Sequence, residues 1–385
     1  MTSKEWQTYN SSGSKRVIVT KELPGERWLE RLARADCKVD ICTSPDALST
    51  NEIKTAMSND CDGAIGQLTE DWGEELFAAL KTAGGKAYSN CAVGFNNVDI
   101  DAATRHGIPV GNTPGVLTET TAEMAVALTF AAARRTGESE RFLRAGLYKG
   151  WLPTLFLGEL LWRKTVGVIG AGRIGATYAR MMVEGHKMNL IYYDINQNKE
   201  LEGIIADYGT FLRSQGEPPV FCRRAKDMEE VLREADCVSL HTVLDPTTHH
   251  LINAQRLALM KENAILINTS RGPVVDEAAL VTHCREHPDF RVGLDVFEDE
   301  PDLKPGLVEL DNAVIVPHIA SATRWTREGM ATLAASNVAS VLLGYPVWKN
   351  PDISPFLEAD PPKAAPSILN AADLNLPVYA SGQEE

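Results

Sequence analysis

The chain has 385 residues, a length for two domains rather than one, and its 44% apolar and 23% charged residues match a protein that fills a core. A formal net charge of -14 excludes nucleic acid or an anionic membrane surface as a partner held by bulk electrostatics. An anionic small molecule must then be gripped by a few local cations, so individual arginines matter.

Residues 1–15 are rich in Ser and Thr with a single acid, and read as a disordered tail or a presequence remnant. Val17-Ile18-Val19 predicts a short buried strand, and Glu26–Ala35 an amphipathic helix. Strand and helix signals then alternate to about residue 112, as a parallel α/β sheet requires. A long apolar helix over Thr120–Arg134 suits a bridge between domains. From Thr165 the alternation restarts, with strands predicted at Thr165–Ile169, Leu190–Tyr193, Cys237–His241, Ala264–Asn268, Val292–Val296 and Ala313–Val316. Helices are predicted at Ile174–Val183, Met228–Ala235 and Glu277–His283, which makes a doubly wound sheet. Asn196–Arg224 is polar and punctuated by Gly and Pro, and reads as an insertion on the sheet edge. The proline-rich stretch after Asn350 predicts a surface wrap without regular structure.

Seven cysteines (Cys37, Cys42, Cys61, Cys91, Cys222, Cys237, Cys284) are scattered, and none is spaced as CxxC. That pattern predicts free thiols in a reducing compartment, with neither a disulfide framework nor a zinc site. His283 and His287 stand four apart, but Pro288 follows at once and no third ligand is near. They read as a surface helix end, and His249-His250 as loop or edge structure, so no metal is expected. No apolar run approaches the ~18 residues of a membrane span.

Two sets of residues carry chemistry. Thr165–Ile169 runs into Gly170-Ala171-Gly172-Arg173-Ile174-Gly175 and then a helix. Gly170 permits the tight turn, Gly172 a close approach of pyrophosphate, and Gly175 close helix–strand packing, with the phosphates at the positive helix end. Asp194 ends the next strand, where a carboxylate accepts from ribose hydroxyls and repels a 2′-phosphate. NAD(H) is therefore expected over NADP(H), with Lys199 nearby as the one residue in favour of NADPH. The second set lies at three later strand ends: Asn268-Thr269-Ser270-Arg271-Gly272, Asp295-Val296-Phe297-Glu298-Asp299-Glu300-Pro301 and Pro317-His318-Ile319-Ala320-Ser321. Together they offer what hydride reduction of a 2-oxo acid needs. Arg271 can grip a carboxylate with two of its guanidinium nitrogens, and His318 can give a proton to the carbonyl oxygen. Glu298 or Glu300 can keep that histidine charged.

The stretches TVGVIGAGRIG, TSRGPVVDEAAL, FRVGLDVFEDEP, VPHIASATRWTREGMATLAA and GYPVW resemble the D-isomer-specific 2-hydroxyacid dehydrogenases, and among them the plant-type hydroxypyruvate reductases of photorespiration. The similarity spans roughly residues 16–378. It implies two Rossmann-like or flavodoxin-like doubly wound domains with a cleft between them: a substrate domain of 16–120 plus 325–385, and an NAD-binding domain of 121–324. By resemblance the activity is NADH-dependent reduction of hydroxypyruvate to D-glycerate, with glyoxylate as a side substrate. Glu300 becomes the acid partner of His318, and Arg271 orients the keto acid. Asp295 lies by the nicotinamide, and Arg173 and Ile174 line the pyrophosphate turn. Thr121, Thr269, His318 and Ser321 also approach the cofactor. Val93 and Gly94 offer N–H groups to the substrate carboxylate, with Trp325 as a pocket wall.

Family members are homodimers joined through the cofactor domain. The segment Tyr148–Phe156 fits either such an interface or a covered loop. A redox-sensing corepressor on the same fold is the rival reading. Against it stand the match to a metabolic subfamily and the lack of a basic tail. Plant members end in a Ser-Lys-Leu-like peroxisomal tripeptide, whereas here Leu376-Pro377-Val378 is followed by Tyr379–Glu385. On that ground cytosol or mitochondrion is expected over the peroxisome.

Overall fold

The computed structural model describes residues 5–379. They form two compact units, one running up to Leu117 and resuming at Ala322, the other spanning Thr118–Ser321. Both joins fall three residues before those expected from the sequence, the first because the helix expected at Thr120 already begins at Thr118.

The first unit contains β1 (Trp6–Tyr9), β2 (Lys15–Val19), α1 (Arg27–Arg34), β3 (Cys37–Cys42), α2 (Thr50–Met57), β4 (Gly63–Gly66), α3 (Glu74–Thr82), β5 (Ala87–Asn90), α4 (Ile100–Arg105) and β6 (Val110–Gly111). Its sheet runs β1-β3-β2-β4-β5-β6, parallel throughout except at β1. Val17, Ile18 and Val19 are fully buried, as expected of a parallel strand covered on both faces.

Residues 5–15 are not a tail. β1 pairs antiparallel with β3 from Trp6 opposite Cys42 to Tyr9 opposite Val39, and the Thr8 hydroxyl donates to Asp40 at 2.7 Å. An antiparallel edge strand needs no apolar run, which is why composition hid it. The first four residues lie outside the described ones.

Among the described residues the stretch after Asn350 has one 3₁₀ turn, Ser354–Leu357, but it is more than a surface wrap. Phe356, Ala364, Ala365 and Asn370 are buried. The Asn370 side chain accepts from Val110 N–H at 2.9 Å and donates to the Ile108 carbonyl at 3.0 Å, so its hydrogen bonds tie this segment to the sheet.

The second unit holds α5 (Thr118–Ala133), α6 (Thr136–Arg144), β7 (Thr165–Ile169), α7 (Arg173–His186), β8 (Asn189–Tyr193), α8 (Lys199–Ser214), β9 (Cys222–Arg224), α9 (Met228–Glu234), β10 (Cys237–Leu240), α10 (Ala254–Leu257), β11 (Ile265–Asn268), α11 (Glu277–Glu286), β12 (Arg291–Leu294) and β13 (Ala313–Ile315). A last helix, α12 (Arg324–Leu342), packs on α1 in the first unit. The second sheet is parallel throughout, in the order β13-β12-β11-β10-β7-β8-β9. The winding reverses between β7 and β10, and ligands of open α/β sheets bind outside the strand C-termini at that point.

The predicted edge insertion at 196–224 is instead a regular helix–strand unit. Leu201, Ile205, Gly209 and Leu212 make a buried stripe along α8, and β9 pairs with β8. The polar residues there cover the outer face of an amphipathic helix, and they outweigh the apolar stripe in composition.

Candidate active site

β7 and β8 pair in register from Thr165 opposite Asn189 to Ile169 opposite Tyr193, which delivers Gly170 and Asp194 to the sheet edge side by side. Gly170 has φ +92°, and a Cβ there would lie 2.6 Å from the His241 carbonyl oxygen. A Cβ on Gly175 would lie 2.0 Å from the Gly170 oxygen, so neither position admits a side chain without opening the turn. Gly172, by contrast, faces open space, with no atom within 4 Å of its would-be Cβ. It begins α7 with no side-chain cap, and Arg173 and Ile174 form the first turn. The Asp194 carboxylate accepts from Ala171 N–H at 2.8 Å with one oxygen and from Asn196 N–H at 2.9 Å with the other. Each oxygen keeps a second lone pair for a hydroxyl donor.

The next strand ends in the sheet carry the second set. After β12, Asp295 is fully buried, and its carboxylate oxygens accept from Ile319 N–H at 2.6 Å and Ala320 N–H at 2.9 Å. Its own carbonyl accepts from His318 N–H at 2.9 Å. Burial pushes the Asp295 carboxyl above its ordinary value, against the pull of those two amides and of His318. Asp295 thus fastens the loop that carries His318. That histidine sits at φ +51°, a left-handed conformation uncommon for residues other than glycine and asparagine.

His318 Nδ1 lies 2.8 Å from Glu300 Oε2, while Glu300 Oε1 accepts from Phe297 N–H at 2.9 Å. Desolvation pushes the Glu300 carboxyl up, but the hydrogen bond and charge of His318, the Phe297 amide and the charge of Arg271 together hold it below its ordinary value. Glu298, the other acid left open by the residues alone, lies 3.1 Å from His250 Nε2. The Arg271 guanidinium is held below its ordinary value by desolvation, partly offset by Glu300. Gly272 directly after it has no room for a side chain, since a Cβ would fall 1.8 Å from the Phe297 oxygen. The arginine loop and the glutamate loop are therefore pressed backbone to backbone.

The structure brings two further residues to this edge, His241 and Thr242, both beyond β10. The His241 ring is buried, 2.8 Å from Ser239 Oγ, and desolvation pulls its pKa down to about 3. Desolvation thus disfavours its charged form, which makes His318 the better placed proton donor. The buried hydroxyls of Thr242 and Thr269 find no hydrogen-bond partner among the described residues. Buried polar groups are normally satisfied, so two orphans at neighbouring strand ends suit a ligand that supplies their partners. The predicted strand Cys237–His241 was the only signal pointing toward His241 and Thr242. Thr121 is buried in the first turn of α5, and Ser321 is half-buried at the end of the unit.

The expected substrate residues lie in the first unit. Val93 and Gly94 follow β5, with their carbonyls accepting from Asn112 Nδ2 at 2.9 Å and Asn90 Nδ2 at 3.0 Å. Both carbonyl oxygens of this loop are thus engaged by side-chain amides. Trp325, in the first turn of α12, is 61% exposed.

The model of the D-isomer specific 2-hydroxyacid dehydrogenase NAD binding domain matches residues 126–320. The chain belongs to this family. A protein of Arabidopsis thaliana called glycerate dehydrogenase HPR, peroxisomal, is 61% identical over 376 residues, 97% of each chain. A glyoxylate reductase of Thermococcus litoralis is 38% identical over 86% of this chain and 94% of its own. The crystal structure of the TT0316 protein from Thermus thermophilus superposes with a TM-score of 0.75 at 38% identity, covering 86% of this chain and 97% of that one.

As a 2-hydroxyacid dehydrogenase the chain is an NAD-binding oxidoreductase, and its second unit fits that cofactor. The open face of Gly172 lies over the N-terminus of α7, Asp194 stands at the neighbouring strand end, and the orphaned Thr242 and Thr269 hydroxyls lie across the switch point. One expectation is corrected. The preference for cytosol or mitochondrion over the peroxisome is overturned by the A. thaliana relative, which is named peroxisomal at 61% identity along the whole chain. That preference rested on the stretch from Tyr379, of which all but Tyr379 lies outside the described residues. An import tripeptide is also read by a receptor and contributes nothing to a fold.

Proposed function

We propose that the chain reduces hydroxypyruvate to D-glycerate with NADH, and reduces glyoxylate as a lesser substrate. The observation that carries this reading is the 2.8 Å pair of His318 Nδ1 and Glu300 Oε2 beside Arg271 at one edge of the cofactor-binding sheet. The names of the relatives support the substrate class, since oxidising glycerate at its 2-hydroxyl gives hydroxypyruvate. NADH, when bound, supplies the hydride to the keto carbon.

Arg271 holds the substrate carboxylate through two parallel charged hydrogen bonds. With Nδ1 committed to Glu300, the imidazolium donates from Nε2 to the carbonyl oxygen. Glu300 stays ionised because its carboxyl is held low, and it stabilises the imidazolium before transfer. Asp194 takes the adenosine ribose, and Arg173 and Ile174 the pyrophosphate. Asp295 enters this reading as the residue that fixes the His318 loop. Val93, Gly94 and Trp325 are the substrate-side candidates of the first unit. A corepressor on this fold can keep the same donor–acid–arginine set, so the case against that alternative is the likeness to metabolic enzymes.

The test is steady-state NADH oxidation by the purified protein with hydroxypyruvate, glyoxylate and pyruvate. The expected order of kcat/KM is hydroxypyruvate, then glyoxylate, then pyruvate. An intact protein inert toward all three would end the reading.

The chain also acts as a homodimer in this proposal. α6 buries no residue, and the arm after it exposes Tyr148, Trp151, Leu152, Leu157 and Leu160, with Trp151 79% exposed. The arm is nevertheless ordered within its unit, with the rings of Phe142 and Phe156 5.1 Å apart. So many large apolar side chains exposed within one segment suit an association site. Light scattering should give a mass twice that of the 385-residue chain, and the double variant Trp151→Glu, Leu160→Glu should give the monomer mass. A parent that elutes as a monomer would remove the dimer from the proposal.

A further inference from the structure

We infer that Glu277 is the positioning residue that holds the Glu300 carboxylate on His318. The inference rests on the roles proposed above for Glu300 and His318. Glu277 is the first residue of α11, directly after its N-cap Asp276, whose side chain accepts from Ala279 N–H at 2.9 Å. An acid at a helix start ordinarily faces solvent, where the helix dipole already favours it. Glu277 is instead 3% exposed. Burying a carboxylate is costly unless its lone pairs are met by donors, and here both oxygens are met by backbone. Oε2 accepts from Glu298 N–H and Oε1 from Lys304 N–H, each at 2.8 Å. One side chain thus closes the loop at both ends, and Glu300 lies inside it.

The closure is reciprocal. The Glu298 carboxylate accepts from Glu277 N–H at 3.1 Å and also meets His250, while Lys304 Nζ reaches Asp299 at 2.6 Å. On the other side the loop lies against Gly272, next to Arg271. Two buried carboxylates therefore divide the work. Asp295 fixes the loop of His318, and Glu277 fixes the loop of Glu300.

A loop staple that served stability alone would alter the amount of folded protein and leave the proton chemistry of the folded fraction unchanged. A positioning residue moves the pH dependence as well. The charged groups around the pair are Arg271 after β11, Asp295 after β12, His250 before α10, and Glu298, Asp299 and Lys304 on the loop itself.

The experiment measures kcat/KM for hydroxypyruvate against pH in the full-length protein and in Glu277→Gln, Glu277→Asp and Glu300→Gln, with NADH affinity followed by fluorescence and folding by thermal melts. Glu277→Gln keeps the shape and one acceptor oxygen. Glu277→Asp keeps the charge but withdraws it by one methylene, so a readout survives if the first variant folds poorly. The expected result is a kcat lowered about 10- to 100-fold, unchanged NADH affinity, and an alkaline decline displaced to lower pH in the same direction as in Glu300→Gln. If Glu300→Gln moves the decline and both Glu277 variants overlay the parent, Glu277 is a staple only and the inference falls. If Glu300→Gln itself leaves the decline in place, the pairing of Glu300 with His318 in catalysis falls, and the role of Glu277 falls with it.

Discussion

Arg271→Ala is expected to lower kcat/KM for hydroxypyruvate by about 10²- to 10⁴-fold. Two hydrogen bonds to a charged group contribute roughly 1.5–3 kcal/mol each, and each 1.36 kcal/mol is about tenfold in rate. The loss should appear in both KM and kcat, because the guanidinium holds the carboxylate in the ground state and also sets the angle of the keto carbon. Arg271→Lys should recover only part of it, since an ammonium keeps the charge without the planar fork. NADH affinity should stay at the parent value, because Gly172 and Asp194 stand at other strand ends. Nor should the melting temperature fall far. Desolvation already works against this guanidinium, so its removal relieves a cost as well as deleting contacts. Steady-state kinetics with a fluorescence titration of NADH checks all of this, and a loss in kcat/KM below tenfold would remove Arg271 from the substrate site.

The second large effect concerns His318. Asparagine is the replacement of choice, because φ +51° at this position is tolerated by asparagine and strained for alanine. His318→Asn is expected to lower kcat about 10²- to 10⁴-fold, the usual contribution of a positioned general acid, with KM changed little. The pH dependence supplies the sign. Reduction needs the protonated ring, so parent kcat/KM should decline as pH rises, while oxidation of D-glycerate needs the neutral ring and should rise over the same range. Glu300, held below the ordinary carboxylate value, remains ionised across that range and sets no limb within it. Both dependences should flatten in His318→Asn. A variant that kept the parent's decline would assign the proton to another group, and His241 is the less suited because desolvation disfavours its charged form.

The fold was legible wherever the chemistry is local. A strand, a glycine turn and a helix stand consecutively at Thr165–His186, and β8, β10, β11, β12 and β13 are short, mainly apolar runs, whereas β9 is not. The illegible elements are those whose stability comes from one side only. β1 is mostly exposed, held by its pairing with β3 and the packing of Trp6, and α8 hides four buried residues among twelve others.

By itself the sequence determined that a dinucleotide fold carries an arginine, a pair of candidate acids and a histidine on successive strand ends. Resemblance narrowed the acid to Glu300. Tertiary structure alone decided that Glu300, eighteen residues away, meets the His318 ring, while Glu298 turns to His250. It also decided that Asp295 holds His318 in a left-handed turn, that Glu277 closes the acid's loop, and that desolvation works against a charged His241. Adjacent residues settle turns and helix starts, because those depend on dihedral preferences within a few bonds. Pairings across a sheet edge and the desolvation of a buried ring depend on every chain segment that arrives there, and that sum is set only by the folded arrangement.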